Sequence, residues 1–287
     1  MHSVVNVPKK LTAQRALQLF KIFENKNWSF VNELDIDEYD NFCKMLEYLE
    51  EDQQDLIISL TEDFLYISSN EYPKHFQLAF DKFYQSEIWM PRGRIYIVPL
   101  LREEDYEKNK SSKNLHYLVK SRKTYFQKRY ELLKLGFLDL LPHITSPEII
   151  FDRQNDFLCL IDDFIGTGET AASAIETVER LGIPKSRLIV ISLVAQKEGL
   201  DKIKPNVAAT FVANEREKAI RGSAKDEIEK ARIMQEIESK MKVKEKYRFG
   251  YGQSEALVRM IRTPNNTFPV YWFAKKNGIP IVPFPRD

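Results

Sequence analysis

The chain has 287 residues, 43% of them hydrophobic and 30% charged, with a net charge of +1. This length suits one large domain or a core domain with an appended one, and the composition is that of a globular chain able to bury a sizeable core. Near-zero net charge excludes a whole-molecule field pulling the protein toward nucleic acid or membrane, and no apolar run is long enough to cross a bilayer. The first ten residues, MHSVVNVPKK, lack the apolar stretch of a signal peptide, so a cytoplasmic location is expected. Cys43 and Cys159 each lie in an apolar run and are expected as buried small hydrophobes. His2, His75, His116 and His143 are scattered without metal-ligand spacing.

In chain order, residues 1–90 predict a helical module. Ala13, Ala16, Leu17, Phe20 and Phe23 recur at helical spacing, as do Phe42, Met45, Leu46 and Leu49. A third run holds Leu56, Ile57, Leu60, Phe64 and Leu65, and a fourth after Pro73 holds Phe76, Leu78, Phe80 and Phe83. These aromatics read as core, and no chemistry is apparent among them. The character changes at Arg92-Gly93. Arg94–Pro99 predicts a strand, Arg102–Lys113 a polar loop, residues 114–120 a helix, and 124–140 further helix. Phe157–Ile161 is a continuous apolar run, the pattern of a strand buried on both faces. A loop Asp162–Glu169, a helix Thr170–Leu181, a strand Arg187–Ala195, a helix Gln196–Ile203 and a strand Val207–Ala213 follow. That alternation predicts a parallel sheet with helices packed over it. Residues 214–247 are charge-dense, with Ile228, Met234, Ile237 and Met241 as an apolar stripe. They read as a helical insertion, either a solvated surface helix or a lid or partner-binding hairpin. A helix Ala256–Ile261 and a strand Val270–Phe273 are expected near the end.

The segment Asp162-Asp163-Phe164-Ile165-Gly166-Thr167-Gly168-Glu169-Thr170 is the most informative. A buried parallel strand ends in two adjacent carboxylates, at the sheet edge where open α/β folds bind ligands. Gly166 and Gly168 allow a tight turn and close approach of the backbone to a ligand. Thr167 and Thr170 add hydroxyls. The helix that starts next turns its free N–H groups and its dipole toward the loop. The result is an anion nest with two acids at its edge. A phosphate suits the nest, and the acids suit sugar hydroxyls or a water-bridged Mg²⁺.

This pattern resembles the phosphoribosyl pyrophosphate (PRPP) motif of type I phosphoribosyltransferases. The match keeps both acids, Thr167, Gly168 and Thr170, and departs at Gly166, where the family usually has Thr, and at Phe164, usually smaller. The resemblance implies a type I phosphoribosyltransferase-like α/β fold over 91–287, with a parallel sheet and helices on both faces, preceded by the helical module. It implies that Asp162 and Asp163 bind the ribose hydroxyls, and that Ile165, Gly166, Thr167, Gly168, Glu169 and Thr170 hold the 5-phosphate. It implies Mg²⁺ carried by ligand and water near the two acids, and transfer of a phosphoribosyl group from PRPP or the reverse reaction on a nucleotide. Arg102, Lys110, Ser111, Ser112 and Lys113 are candidates for a pyrophosphate-holding loop, with a solvated charged loop as the other reading. Asn265 and Asn266 are candidates for the base side, or for Asx-turns. Together with Gly250-Tyr251-Gly252 and Thr263–Pro269, the loop also resembles phosphoribosyltransferase-like proteins of bacterial conflict systems, which travel with antiphage and retron-type partners. That resemblance implies a defence effector with a protein or ribonucleoprotein partner, and leaves a homodimer open.

Three other readings fit less well. Gly166 to Ala171 matches G-x-G-x-x-A, but two acids precede it, and the next strand ends Val194-Ala195-Gln196 without the acid that binds an adenine ribose. No Gly-Lys-Ser/Thr follows, which excludes a Walker A loop. A turn that only caps the helix explains neither the paired acids nor the two glycines. A domain that binds PRPP or a nucleotide without turnover stays open.

Overall fold

The computed structural model describes residues 10–28, 37–89, 93–221 and 226–286. The expectations that fall on 1–9 (His2 included), 29–36, 90–92, 222–225 and 287 lie outside the described residues. Two compact units form. One comprises Met1–Tyr66 with Lys218–Asp287, the other Ile67–Glu217. The fourth helical run packs on the sheet, and the charged segment after residue 217 returns to the N-terminal helices.

The first unit contains α1 (Ala13–Lys26), α2 (Glu38–Leu46), α3 (Glu51–Glu62) and the short strand β1 (Leu65–Tyr66). Thr12 caps α1 by accepting from the Arg15 N–H at 3.3 Å, and α3 opens with a capping box of Glu50 and Gln53. Phe23, Phe42, Phe64, Tyr271 and Phe284 interlock in the core, with ring centroids 5.7 Å apart for Phe23–Phe42 and 4.7 Å for Phe64–Tyr271.

The second unit contains α4 (Tyr72–Gln85), β2 (Arg94–Pro99), α5 (Ser111–Ser121), α6 (Lys123–Arg129), β3 (Lys134–Phe137), β4 (Phe157–Ile165), α7 (Glu169–Arg180), β5 (Leu188–Gln196), α8 (Lys197–Ile203) and β6 (Ala209–Arg216). Its five strands are all parallel, in the order β3-β2-β4-β5-β6. Leu158, Leu160, Leu188 and Val190 pack with Ala174, Ile175 and Val178 of α7 and Leu200 and Ile203 of α8. The opposite face meets α4 and α5: Phe83 of α4 lies edge-on to Phe211 of β6 at 5.5 Å.

The chain leaves β2 toward β3 on one side and resumes at β4 on the other. The crevice between the carboxyl ends of β2 and β4 is therefore the switch point where such sheets bind ligands.

Back in the first unit, α9 (Glu227–Lys240) and β7 (Val258–Arg259) complete the architecture. Met234, Ile237 and Met241 are fully buried in its core while Ile228 is exposed, so the charged insertion is a core element of this unit. Glu238 on the same helix is also buried, and burial pushes its carboxyl up to about 8.

Three expected elements differ. Residues 134–137 form an edge strand, because pairing with β2 outweighs the helix propensity of a Leu-Lys sequence, and Gly136 leaves room for the Tyr96 ring. Val258–Arg259 pairs in parallel with Leu65–Tyr66 where a helix was expected. Pro269–Tyr271 is a 3-10 turn where a strand was expected, consistent with Pro269 lacking a donor.

Glu38, almost fully buried, binds the Arg259 guanidinium, which lies over the rings of Tyr66 and Phe284 at 4.6 and 4.5 Å. Glu38→Ala leaves that cation without its carboxylate. A loss of about 3 kcal/mol is expected, read as a lower urea midpoint at unchanged m-value.

Candidate functional site

Asp162 and Asp163 lie within β4, two residues beyond the expected strand end, and β4 runs on to Ile165 in register with Ala195 of β5. The extension has a plain cause. Phe164 pairs with Val194 and Ile165 is buried, so the ladder continues past the acids. Both acids are buried as a result.

Their environments differ. Asp163 accepts from the Tyr72 hydroxyl at 2.9 Å through Oδ2 and from the Ser111 hydroxyl at 2.7 Å through Oδ1. Tyr72 is the first residue of α4 and Ser111 the first of α5, so two helix N-termini converge on one carboxylate. Asp162 accepts the Asp163 N–H at 2.9 Å. Burial first, and then the neighbouring Asp163 charge, push its carboxyl well above the usual carboxylate range.

Beyond Ile165 the chain turns through Gly166 and Thr167 to Gly168, which takes φ 75° as the residue capping α7. Glu169 is already the first residue of the helix and Thr170 the second. The N–H groups of the first turn of α7, which starts at Glu169, have no acceptor four residues back within the helix, as at any helix N-terminus. Gly199 of α8 supports the Gly166–Gly168 turn from beneath. A Cβ there would stand 2.1 Å from the Gly166 carbonyl oxygen and 3.0 Å from the Gly168 nitrogen.

The loop after β2 lies in the same unit and is largely self-paired. Arg102 reaches Glu169 at 3.7 Å and Glu104 at 3.6 Å. Lys110 binds Asp105 at 3.1 Å, and Lys113 donates to the Tyr106 carbonyl. Ser112 is buried, and Ser111 is committed to Asp163. Asn265 and Asn266 belong to the other compact unit. There the Asn266 amide donates to the Tyr251 carbonyl at 3.2 Å and to Ser254 Oγ at 3.1 Å, and the Asn265 carbonyl accepts from Tyr251 N at 2.8 Å. Sequence reading missed Tyr72 and Gly199. Gly199 carried a signal, an isolated glycine inside a helix. Tyr72 carried none, since its partner is 91 residues away.

A parallel sheet with a glycine turn, a helix N-terminus and paired acids at its switch point defines a type I phosphoribosyltransferase-like protein. The chain belongs to the PRTase-CE family, whose model matches residues 39–284 and so includes residues of both compact units. Among solved structures it is similar to orotate phosphoribosyltransferase from Aeropyrum pernix, at 14% identity over 51% of this chain and 71% of that one, with a TM-score of 0.30. No curated protein matches the chain. Among the described residues, no helix is long and apolar enough to cross a membrane.

Two outcomes follow from this geometry. Because the folded protein holds the Asp162 proton more tightly than the unfolded chain does, stability is greatest below the ordinary carboxylate pKa and falls as pH rises toward the raised one. Asp162→Asn removes that loss. Its Tm is expected to exceed the wild type's by about 2–4 °C at pH 7.5, with the difference vanishing toward about pH 4. Gly199→Ala pushes a methyl group into the Gly166–Gly168 turn, and a cost of about 1–3 kcal/mol is expected in urea denaturation.

Proposed function

We propose that this protein binds a ribose 5-phosphate group, presented by PRPP or by a nucleotide, at the carboxyl ends of β2 and β4. Asp162 and Asp163 accept the ribose hydroxyls, and residues 165–170 hold the 5-phosphate through backbone N–H groups and the hydroxyls of Thr167 and Thr170. The observation that carries this reading is Gly168 in the left-handed region at the N-terminus of α7, three residues after the strand that bears both acids.

The residues fit Mg²⁺ carried by the ligand. Asp163 already accepts at both oxygens and Asp162 is buried, so an ion would be held by the ligand and would reach these acids only through water. When present, Mg²⁺ would neutralise charge on a leaving pyrophosphate. This chain's own part in transfer is positioning. The nest fixes one end of the sugar and the acids fix its hydroxyls, so the anomeric carbon is held for attack while the bond to pyrophosphate breaks. The family match and the loop support phosphoribosyl transfer or its reverse as the reaction. The resemblance carried by the loop together with Gly250-Tyr251-Gly252 and Thr263–Pro269 is what supports bacterial antiphage defence as the setting, with a protein or ribonucleoprotein partner.

A specific observation favours a second reading, ligand binding without turnover. The cations expected to hold pyrophosphate are engaged within the protein, Arg102 with Glu169, Lys110 with Asp105 and Lys113 with a backbone carbonyl. Calorimetric titration with PRPP and Mg²⁺ tests the shared premise. Binding by the wild type, weakened at least about tenfold in Asp162→Asn/Asp163→Asn through loss of carboxyl acceptors for the ribose hydroxyls, is the expected result. A folded wild type that binds neither PRPP nor nucleoside monophosphates overturns it. Release of pyrophosphate with a base or acceptor then separates the enzyme from the sensor.

A further inference from the structure

Asp163 is gripped by Ser111 and by Tyr72, a residue outside every motif read from the sequence. Tyr72 is fully buried at the start of α4. Its backbone is set from both sides. The preceding turn is closed by Glu71, which accepts from the Ser68 N–H at 2.9 Å and from its hydroxyl at 2.8 Å. Pro73 follows within the first turn of the helix, where its missing donor costs nothing. The helix is pinned further along to β6. His75 Nδ1 lies 2.9 Å from the Asn214 amide, and Lys82 donates to the Val212 carbonyl at 2.6 Å. The Tyr72 hydroxyl therefore comes from a rigid element anchored to the sheet that carries Asp163.

A carboxylate has about four acceptor positions, two on each oxygen. Tyr72 takes one on Oδ2 and Ser111 one on Oδ1. A third contact comes from Asp162, whose carboxyl shares a side-chain hydrogen bond with Asp163. With both oxygens tied, the carboxylate cannot rotate about its side-chain bond. A free aspartate must give up that rotation when a ligand binds, whereas this one has given it up on folding. An acceptor fixed in this way suits a hydroxyl of a sugar and does nothing for a phosphate.

We propose that Tyr72 is a positioning residue of the site, which with Ser111 presets Asp163 for a sugar hydroxyl and so makes the site discriminate a sugar phosphate from a bare phosphate. This rests on the ribose-phosphate reading above. It assigns the discrimination to α4, a helix outside the loop motif.

The experiment is paired calorimetric titration of wild type, Tyr72→Phe and Ser111→Ala with two probes, ribose 5-phosphate and inorganic phosphate, with the Tm of each protein recorded. Tyr72→Phe is expected to lose about tenfold in affinity for ribose 5-phosphate, the value of one hydrogen bond to a charged group, while its affinity for inorganic phosphate stays within about twofold of wild type. A variant that keeps both affinities, or loses both in equal proportion, overturns the inference, since the first leaves Tyr72 without a role and the second makes its role purely structural. If Tyr72→Phe does not fold, Ser111→Ala decides by the same two criteria. A folded wild type that binds neither probe overturns the ribose-phosphate reading itself, and this inference with it.

Discussion

Two adjacent carboxylates buried in a β-strand set the terms for the rest of the sheet unit. Taking a carboxyl group out of water is costly unless hydrogen bonds or a proton replace the lost hydration. Asp163 is satisfied by two hydroxyls delivered by the first residues of two helices. Asp162 has a backbone N–H and a carboxyl pushed toward its neutral form. The starts of α4 and α5 are thus dictated by one side chain of β4. A strand that ended at Ile161 would have left both acids in solvent and freed those helices from any such requirement.

The Gly166–Gly168 turn depends on a second constraint, backbone packed against backbone. Gly168 adopts a left-handed conformation and Gly199 of α8 approaches the Gly166 carbonyl more closely than any side chain permits. The turn is held in shape by a neighbouring crossover helix. Charge pairing meets it too. Arg102 spans from the loop after β2 to Glu169, so this arginine is engaged by a carboxylate where α7 begins.

Much of this was legible in the sequence, and the reasons are local. The apolar runs at Phe157 and Leu188, the glycine turn and the amphipathic α7 are written in consecutive residues, and the parallel sheet follows from their alternation. The strand at Lys134–Phe137 was not legible, because Leu and Lys carry no β preference and only pairing with β2 makes it a strand. The extension of β4 through the acids was hidden for a similar reason: charged residues signal a strand end, and the ladder to β5 overrode that signal. The hydroxyl on Asp163 came from a helix that periodicity grouped with the N-terminal module. Periodicity reports which face of a helix is buried, and says nothing of which core receives it.

The helical unit is assembled from both ends of the chain: Leu65 pairs with Val258, and Met234 and Ile237 of α9 share a core with Phe23, Phe42 and Phe64. During synthesis the residues up to 66 emerge long before the partners that bury them, while every residue of the sheet unit has been made by residue 217. The ribosome therefore delivers a complete sheet unit ahead of a complete helical unit. A message cut short after β6 would yield a product whose N-terminal aromatics stay open to water. Chaperones and proteases recognise such surface, so quality control has a physical handle on every truncated copy.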